Sequence, residues 1–352
     1  MSRPRSRVGR AQARGGDRPD PEEGRVSWLV TGGGGYIGSH VVRALRATGR
    51  SVVVLDDFST GRRAAIPDDV ATVAASVTDF AAMTAALRDH EITGVAHLAG
   101  RKSAVDSMSH PLEYYEQNTG GTRTLLAAMR ATGVEHLVFS SSAAIYGSQV
   151  GNGSVREQTP PCPINPYGRS KLACEWIVAD AAAAFDALSS TVLRYFNVAG
   201  AGGPGLGDRN ATGLIPNVLH AISTGRPPVV FGADYPTPDG SCVRDFVHVL
   251  DVANAHVSAV ERLECGGTGN SVYNVGTGRG YSVFEILDAA HAVTGERFRY
   301  EVGDRRPGDP PRVIADIARI GRELGWHARL GLADMLGSEW EARNAVRGRT
   351  SA

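Results

Sequence analysis

The 352-residue sequence has few cysteines, no net charge and no long apolar run. Its four cysteines lie far apart and show no CxxC or Cys/His metal spacing, so we expect reduced thiols, no metal site and a cytoplasmic location. The cysteines are Cys162, Cys174, Cys242 and Cys265. A formal net charge of +0 argues against a nucleic-acid partner. No apolar run approaches the roughly 20 residues of a membrane-spanning helix, so we expect no membrane association.

The first 26 residues lack both an apolar segment and a helix or strand period. They are rich in Arg, Gly and Pro. A secretory signal needs an apolar segment of about 7–15 residues, so we expect a disordered leader over 1–26. The hydrophobic content of 42% is high enough for the rest of the chain to bury a full core.

A glycine-rich turn follows a short apolar strand pattern at residues 27–38, in the order Ser-Trp-Leu-Val-Thr-Gly-Gly-Gly-Gly-Tyr-Ile-Gly. The spacing matches the dinucleotide-binding fingerprint with Gly35 and Gly38 as its last two glycines. Either Gly33 or Gly32 can serve as the first glycine. A helix that starts at this turn points its free N–H groups and its positive dipole end at a pyrophosphate.

A second apolar run, residues 51–55, ends at two carboxylates, Asp56 and Asp57. A dinucleotide fold places an acceptor for the ribose hydroxyls at this point. Because a 2′-phosphate would meet their negative charge, the two acids favour NAD, although Arg62 and Arg63 weaken that preference. We therefore expect NAD as the cofactor.

Apolar strand patterns alternate with helical ones over the first 200 residues. The strands are expected at 71–75, 94–99 and 136–140, and the helices at 79–90 and 111–131. This rhythm predicts an α/β fold, a Rossmann-like doubly wound parallel sheet. We expect the NAD-binding domain over 27–200, with a return segment at about 245–260, and a smaller mixed α/β substrate-binding domain over 201–340.

Tyr167 and Lys171 lie four residues apart in a helix that Pro166 opens, so both side chains occupy one face. A nearby ammonium and a positive nicotinamide ring both favour the phenolate form of a tyrosine. Tyr167 is therefore a candidate to exchange a proton with a substrate hydroxyl. Ser142 follows a predicted strand and is a candidate to hydrogen-bond the same hydroxyl.

Several motifs resemble the extended short-chain dehydrogenase/reductases. They are Thr31-Gly-Gly-Gly-Gly-Tyr-Ile-Gly-Ser-His40, Ser140-Ser-Ser, Tyr167-x-x-x-Lys171, Arg194-Tyr-Phe-Asn197, Phe231-Gly-Ala-Asp-Tyr-Pro-Thr-Pro-Asp-Gly-Ser-Cys-Val-Arg-Asp245 and Val247-His-Val249. Within that family, residues 27–340 most resemble the UDP-glucose (UDP-galactose) 4-epimerases. The resemblance implies tightly held NAD, 4-epimerisation of a UDP-hexose through a transient 4-keto sugar, and a homodimer joined through helices around 111–131 and 167–183.

The resemblance also implies roles for individual residues. The catalytic set is Ser142, Tyr167 and Lys171. The cofactor set is Gly32, Gly35, Tyr36, Ile37, Gly38, Asp56, Asp57, Val77, Leu98, Lys102, Asn118, Tyr167, Lys171 and Phe196. Ser142 and Asn197 would face the sugar, Leu214 and Phe231 the uracil, Arg244 and Arg306 the pyrophosphate, and Asp309 a ribose hydroxyl.

Three positions depart from the family pattern. Ser76 stands where relatives often carry an acid near the adenine, and Gly213 stands where they carry Asn or His. Val313 replaces a larger aromatic and leaves room for a 2-acetamido group, so UDP-N-acetylglucosamine is a candidate second substrate. UDP-pentose and UDP-uronate remain open.

Two further functions are open from the sequence. A nucleotide-sugar 4,6-dehydratase needs an acid and a base after the catalytic serine, and this chain has Ala143 and Ala144 there. A non-catalytic NAD-binding sensor would be expected to lack Tyr167 or Lys171, and both are present.

Overall fold

The computed structural model describes residues 26–147, 153–209, 213–306 and 308–350, with side chains as far as 345. The leader expected at 1–26 lies outside the described residues, apart from its last residue. The strands are β1 (Ser27–Thr31), β2 (Ser51–Leu55), β3 (Ala71–Val73), β4 (Gly94–His97), β5 (His136–Ser142), β6 (Ser189–Tyr195), β7 (Asn197–Ala199), β8 (Val229–Phe231), β9 (Val243–His248), β10 (Asn270–Val275), β11 (Gly280–Ser282), β12 (Glu301–Gly303) and β13 (Arg312–Val313).

Helices occupy most of the segments between these strands. They are α1 (Tyr36–Ala47), α2 (Phe80–Asp89), α3 (Ala104–Ser109), α4 (Pro111–Tyr114), a π-helical segment (Tyr115–Gly120), α5 (Gly121–Thr132), α6 (Pro166–Ala184), α7 (Leu214–Ser223), α8 (Val249–Glu264), α9 (Val283–Thr294), α10 (Ala318–Leu324) and α11 (Leu332–Thr350). The helix predicted at 111–131 is thus present, with a π-helical segment in its middle. None of the helices in the described ranges is long and apolar enough to cross a membrane.

A seven-stranded parallel sheet forms the larger part of the fold, in the order β10-β6-β5-β4-β1-β2-β3. Side chains alternate between its two faces, as they must in a strand. In β1, Trp28 and Val30 enter a core with α1 and α8, whereas Leu29 enters a core with α2, α5 and α6. Both faces are therefore covered by helices, and the predicted doubly wound α/β fold is confirmed.

The chain returns to this sheet in its second half. Helix α8 packs against α1, within the segment expected at about 245–260. Strand β10 then pairs with β6 and becomes the edge strand of the sheet, beyond that expected segment. Pairing buries Tyr273 and Val275 of β10, whose side chains join the core beneath α8. No strand was predicted at 270–275 from the sequence, and the pairing of β10 with β6 depends on contacts distant along the chain.

Smaller sheets occupy the rest of the second half. One sheet joins β9 to β11, β13 and β7, and a separate pair joins β8 to β12. Helices α7, α9 and α11 enclose a core that includes Ile215, Leu219, Ile286 and Met335. This mixed α/β unit is the part of the chain for which we expect substrate binding.

The N-terminus of α6 fixes the position of the tyrosine motif. Asn165 caps the helix, because its Oδ1 accepts a hydrogen bond from the Gly168 N–H at 2.8 Å. Pro166 takes the first helical position, where its missing N–H costs nothing. Tyr167 and Lys171 therefore lie on the first turns of a helix whose start is defined by two residues.

Candidate active site

A cavity of about 570 Å³ opens at the carboxyl ends of the central strands. Ligands of doubly wound sheets bind at this edge, and the volume lies in the usual range for a ligand site. Twelve of the residues assigned to the cofactor line it. They are Gly32, Gly35, Tyr36, Ile37, Gly38, Asp56, Asp57, Val77, Leu98, Lys102, Tyr167 and Lys171.

Packing around the glycine-rich turn decides between the two fingerprint frames. Gly32 has a φ of +72°, and a Cβ there would lie 2.7 Å from the Ala99 backbone nitrogen. A Cβ on Gly38 would lie 2.1 Å from the Gly32 carbonyl oxygen, so this position also requires glycine. Gly33 instead packs against Val54, away from the cavity. The frame Gly32-x-x-Gly35-x-x-Gly38 is therefore the one that faces the cavity.

Asp56 lies at the end of β2 as the sequence predicted. Its carboxylate accepts hydrogen bonds from the backbone N–H groups of Gly34 and Phe58, each at 2.8 Å. Burial raises the pKa of this carboxyl group, and the two backbone hydrogen bonds counteract that shift. Asp57 is exposed beside it and accepts from Ser59. The pair presents acceptors to the cavity.

The catalytic candidates lie together at the same cavity. Tyr167 and Lys171 line the cavity, and Ser142 lies close to the Tyr167 phenol outside the described lining. Burial raises the pKa of that phenol, and the Ser142 hydroxyl counteracts the rise. Lys171 Nζ donates to the Ser140 carbonyl oxygen at 2.9 Å, and burial lowers the pKa of this ammonium. The structure therefore brings together all three residues of the predicted catalytic set.

Lys102 has a partner that the sequence did not predict. Its Nζ lies 2.9 Å from Asp208 Oδ2, in the glycine-rich loop after β7. Asp208 is 6% exposed, and its backbone N–H donates to Glu339 of α11 at 3.3 Å. The ion pair links the cavity wall to the second half of the chain, across 106 residues of sequence.

Asn118 and Phe196, both assigned to the cofactor, lie behind the described lining of the cavity. The Asn118 side chain bonds the Arg101 backbone N–H at 2.8 Å and Ser170 Oγ at 2.9 Å. A Cβ on Gly100 would lie 2.6 Å from Asn118 Oδ1, so the amide supports the cavity wall at a glycine. Phe196 is 6% exposed and packs near the Tyr146 ring.

Apart from Ser142, the residues assigned to the substrate fall into three sets. Asn197 Nδ2 donates to the Asp245 carbonyl oxygen at 2.8 Å, next to Arg244, whose guanidinium pairs with Asp309 at 2.7 Å. Arg306 stacks on the Phe231 ring, with 4.0 Å between its Cζ and the ring centroid. Leu214 starts α7 and packs, partly buried, on the core of the second half.

Several residues that line the cavity were not assigned from sequence, among them Ser140, Tyr195 and Tyr114, and His256 lies behind Tyr195. The Tyr195 hydroxyl lies 2.8 Å from Ser140 Oγ and 2.6 Å from His256 Nε2. The Tyr114 ring lies edge-on to Tyr167, with 6.3 Å between the centroids. Ser140 and Tyr195 belong to the motifs Ser140-Ser-Ser and Arg194-Tyr-Phe-Asn197, and these motifs could have identified them. Tyr114 and His256 lie in none of the catalytic motifs.

The residues present fit a dinucleotide. Acidic acceptors, the glycine-rich turn, the half-buried Tyr167 and the buried Lys171 all line the same cavity. In the described part of the chain, no cluster of three or more His, Cys, Asp or Glu residues could hold a metal ion. The fold and the site define an enzyme that uses a dinucleotide to act on a carbon-bound hydroxyl.

The chain belongs to the NAD dependent epimerase/dehydratase family, which it matches over residues 28–276. It is 45% identical to the UDP-glucose 4-epimerase of Azospirillum brasilense over 320 residues, 89% of this chain and 91% of that protein. It is 40% identical to the enzyme of the same name from Bacillus subtilis, covering 92% and 99% of the two chains. The crystal structure of UDP-glucose-4-epimerase from Stenotrophomonas maltophila with bound NAD and formylated UDP-arabinopyranose matches with a TM-score of 0.88 at 38% identity, covering 92% and 100%.

Proposed function

We propose that this chain interconverts UDP-glucose and UDP-galactose by NAD-dependent 4-epimerisation. The observation that carries the proposal is the presence of Tyr167 and Lys171, one helical turn apart on α6, in the lining of a cavity that fits a dinucleotide. Ser142 lies close to the Tyr167 phenol. Relatives at 40–45% identity over most of the chain bear the name UDP-glucose 4-epimerase.

Three side chains of this chain contribute to transfer of the proton of the sugar hydroxyl. The phenolate oxygen of Tyr167 accepts the proton of the 4-hydroxyl group and later returns it, while Ser142 hydrogen-bonds the same oxygen. Lys171, held by the Ser140 carbonyl, supplies a positive charge one helical turn away that favours the phenolate. NAD, held by the residues that line the cavity, would supply a hydride acceptor and donor for sugar C4.

Inversion at C4 requires a firm hold on the nucleotide and a loose hold on the sugar. Arg244 and Arg306 provide guanidinium groups for the pyrophosphate, and such groups bind phosphate oxygens through paired N–H donors. Phe231 is 39% exposed and offers a ring to the uracil. With the diphosphate held, the 4-keto sugar rotates about its phosphate linkage and presents its other face.

The geometry disfavours the 4,6-dehydratase alternative. Ser142 is followed directly by the 3₁₀ turn of Ala143–Ile145, which supplies no acid or base for the elimination of water.

Val313 favours UDP-N-acetylglucosamine as an additional substrate. It lies in register with Arg244 and packs against the cluster that holds Ile145 and Phe196, close behind the catalytic serine.

We propose that two copies of the chain associate through α3, α4 and α6. Large apolar side chains are exposed on these neighbouring helices, namely Val105 (77%), Met108 (64%), Leu112 (80%) and Trp176 (61%). Apolar side chains gathered in this way mark protein interfaces. Trp176→Glu should halve the mass measured by sedimentation equilibrium, whereas Phe80→Glu on α2 should leave it unchanged. A monomeric wild type would contradict the proposal.

We propose a cytoplasmic location because the cysteines are free thiols. Cys174 and Cys242 are buried and free, and Cys265 is exposed and free. Exposed free thiols are usual in reducing compartments. Fractionation of producing cells tests the location, and recovery of the native protein from the secreted fraction would contradict it.

The proposed activity is tested by incubating the purified chain with UDP-galactose and no added NAD. We expect UDP-glucose to form, and denaturation of the same protein to release NAD in near-stoichiometric amount. Absence of turnover in a protein shown to carry NAD would contradict the UDP-hexose assignment.

A further inference from the structure

The helix face that carries the catalytic pair continues to a buried carboxylate. Tyr167, Lys171 and Glu175 are spaced by four residues, so their side chains lie along one face of α6. Glu175 is 7% exposed, and Ser141 Oγ donates to its Oε1. A carboxylate this buried needs a charged or hydrogen-bonding partner on every oxygen.

Arg194 is that partner. Its Nε lies 2.9 Å from Glu175 Oε1, and its Nη2 lies 2.6 Å from Oε2, which is a paired, fork-like geometry. Its Nη1 donates to the Tyr146 hydroxyl and to the Glu157 carbonyl oxygen, each at 2.8 Å. Arg194 is 7% exposed, so a buried, hydrogen-bonded ion pair joins α6 to β6.

The ion pair lies between the two elements that carry the catalytic groups. Ser141, which donates to Glu175, directly precedes Ser142 and is in register with Arg194 of the neighbouring strand. Tyr146, which Arg194 holds, ends the short turn that follows Ser142. The pair therefore hydrogen-bonds Ser141 and Tyr146, which flank the strand end and turn at Ser142. Through Glu175 it is also part of α6, the helix that carries Tyr167.

We propose that Glu175 and Arg194 are positioning residues for the epimerisation. Their ion pair fixes α6 against the ends of β5 and β6 and so sets the position of Tyr167 relative to Ser142. It also keeps the net charge next to Lys171 at zero. This inference rests on the proposed function for its reaction, and it adds two residues that touch neither substrate nor cofactor.

The charge of the pair gives the proposal a signature that a purely structural role lacks. Removing the Glu175 charge leaves an unpaired cation one turn beyond Lys171, which favours the Tyr167 phenolate and lowers its pKa. Removing the Arg194 charge leaves an unpaired anion, which raises that pKa. The other titratable or charged groups around Tyr167 are Lys171 and Cys174 on α6, Tyr195 on β6, Tyr114 on α4 with Asp106 bonded to it, and His97 on β4 near Lys171.

A matched control pair lies far along the chain from the catalytic residues. Glu264, at the end of α8, accepts from Arg50 Nε at 3.0 Å and from Trp28 Nε1 at 2.8 Å, with Arg50 Nη2 completing a paired contact. It joins helix to sheet as Glu175 does, but next to the start of β2. Its loss should lower stability without altering the chemistry of Tyr167.

The test compares Glu175→Gln, Arg194→Gln, the double variant and Arg194→Lys with the controls Glu264→Gln and Arg50→Gln. We expect kcat with UDP-galactose to fall about 100-fold in the positioning variants, with KM and bound NAD unchanged. The pH midpoint of kcat should fall in Glu175→Gln, rise in Arg194→Gln and return to the wild-type value in the double variant. The control variants should show a lower melting temperature and a wild-type pH midpoint.

Two measurements keep the outcome decisive. The pKa of Tyr167 is read directly as the difference in phenolate absorbance between each variant and the same variant carrying Tyr167→Phe, which requires no substrate. If the glutamine variants do not fold, Arg194→Lys supplies the test, because lysine keeps the charge but loses the paired contact with Glu175. In that variant kcat should fall, and the pH midpoint of kcat should stay at the wild-type value. Folded variants with wild-type kcat, or single variants whose pKa values shift in the same direction, would overturn the inference. An inactive wild type would instead count against the proposed function.

Discussion

Arg244 Nη2 lies 2.7 Å from Asp309 Oδ1, and this ion pair joins β9 to the segment that precedes β13. The Arg244 side chain is 16% exposed and Asp309 is 32% exposed, so both groups remain reachable from the surface. Arg244 Nη1 also donates to the Val243 carbonyl oxygen at 2.9 Å. The guanidinium is thus already oriented by two contacts, and such orientation would reduce the entropy lost in the phosphate binding proposed for it.

Replacing Arg244 by Met should weaken the hold on the UDP-sugar. A hydrogen bond to a charged group contributes about 1.5–3 kcal/mol, so KM should rise roughly 10- to 100-fold. Titration calorimetry with UDP should show the same loss of affinity. Arg279→Met removes an arginine that stacks on Tyr281 and should leave KM unchanged. Equal KM values for Arg244→Met and wild type would remove Arg244 from the proposed binding site.

Tyr167→Phe should retain the fold and lose most of the activity. The ring still packs edge-on to Tyr114, so the melting temperature should change little. Loss of a general acid–base group costs about 100- to 10,000-fold in kcat. Ser142→Ala should cost less, since Tyr167 remains. Tyr300→Phe, at a residue 49% exposed, is the control for phenol removal. Substantial turnover by Tyr167→Phe would show that another group moves the proton.

Val313→Tyr should restrict the sugar pocket. A larger side chain behind Ile145 and Phe196 takes up the space expected for a 2-acetamido group. The kcat/KM for the N-acetylated UDP-sugar should fall further than that for UDP-galactose, in assays run side by side. Val302→Tyr, at a position 55% exposed on β12, should change neither value. If the wild type does not turn over the N-acetylated sugar at all, the proposed second substrate is wrong.

Glu339 should make stability fall as the pH rises from about 4.5 to about 7. Burial raises the pKa of this carboxyl group to about 7 from its usual 4.5. The folded protein then binds the proton more tightly than the unfolded chain, so the contribution is complete below pH 4.5 and is lost on the way to about pH 7. The loss amounts to about 3 kcal/mol at most.

Urea unfolding of wild type and Glu339→Gln at a series of pH values measures this contribution. The difference between the two free energies of unfolding should change across the interval below pH 7, because glutamine carries no titrating group. Glu341→Gln, at an exposed neighbour on α11, should follow the wild type. Parallel curves for wild type and Glu339→Gln would contradict the shifted pKa.

The parts of the fold that follow from local pattern could be predicted. The strand–turn–helix at 27–38 and the spacing of Tyr167 and Lys171 depend on neighbours in sequence, and the structure places these residues as expected. The choice between Gly33 and Gly32 could not be made, because it depends on packing against Val54 of another strand.

Contacts distant in sequence explain what was missed. Asp208 meets Lys102 across 106 residues, and no motif connects them. Likewise, the local sequence does not identify Glu175, because its partner Arg194 lies on a strand that only the fold brings next to α6. Strand β10 was not predicted, and its place at the sheet edge is decided by tertiary packing.

The central claim is that one hydride leaves sugar C4 and returns to the same carbon. It is tested most directly with UDP-galactose deuterated at C4, incubated with the purified chain in ordinary water without added NAD. The account predicts UDP-glucose that retains the deuterium at C4. Product that has exchanged its C4 deuterium for solvent hydrogen would contradict the account.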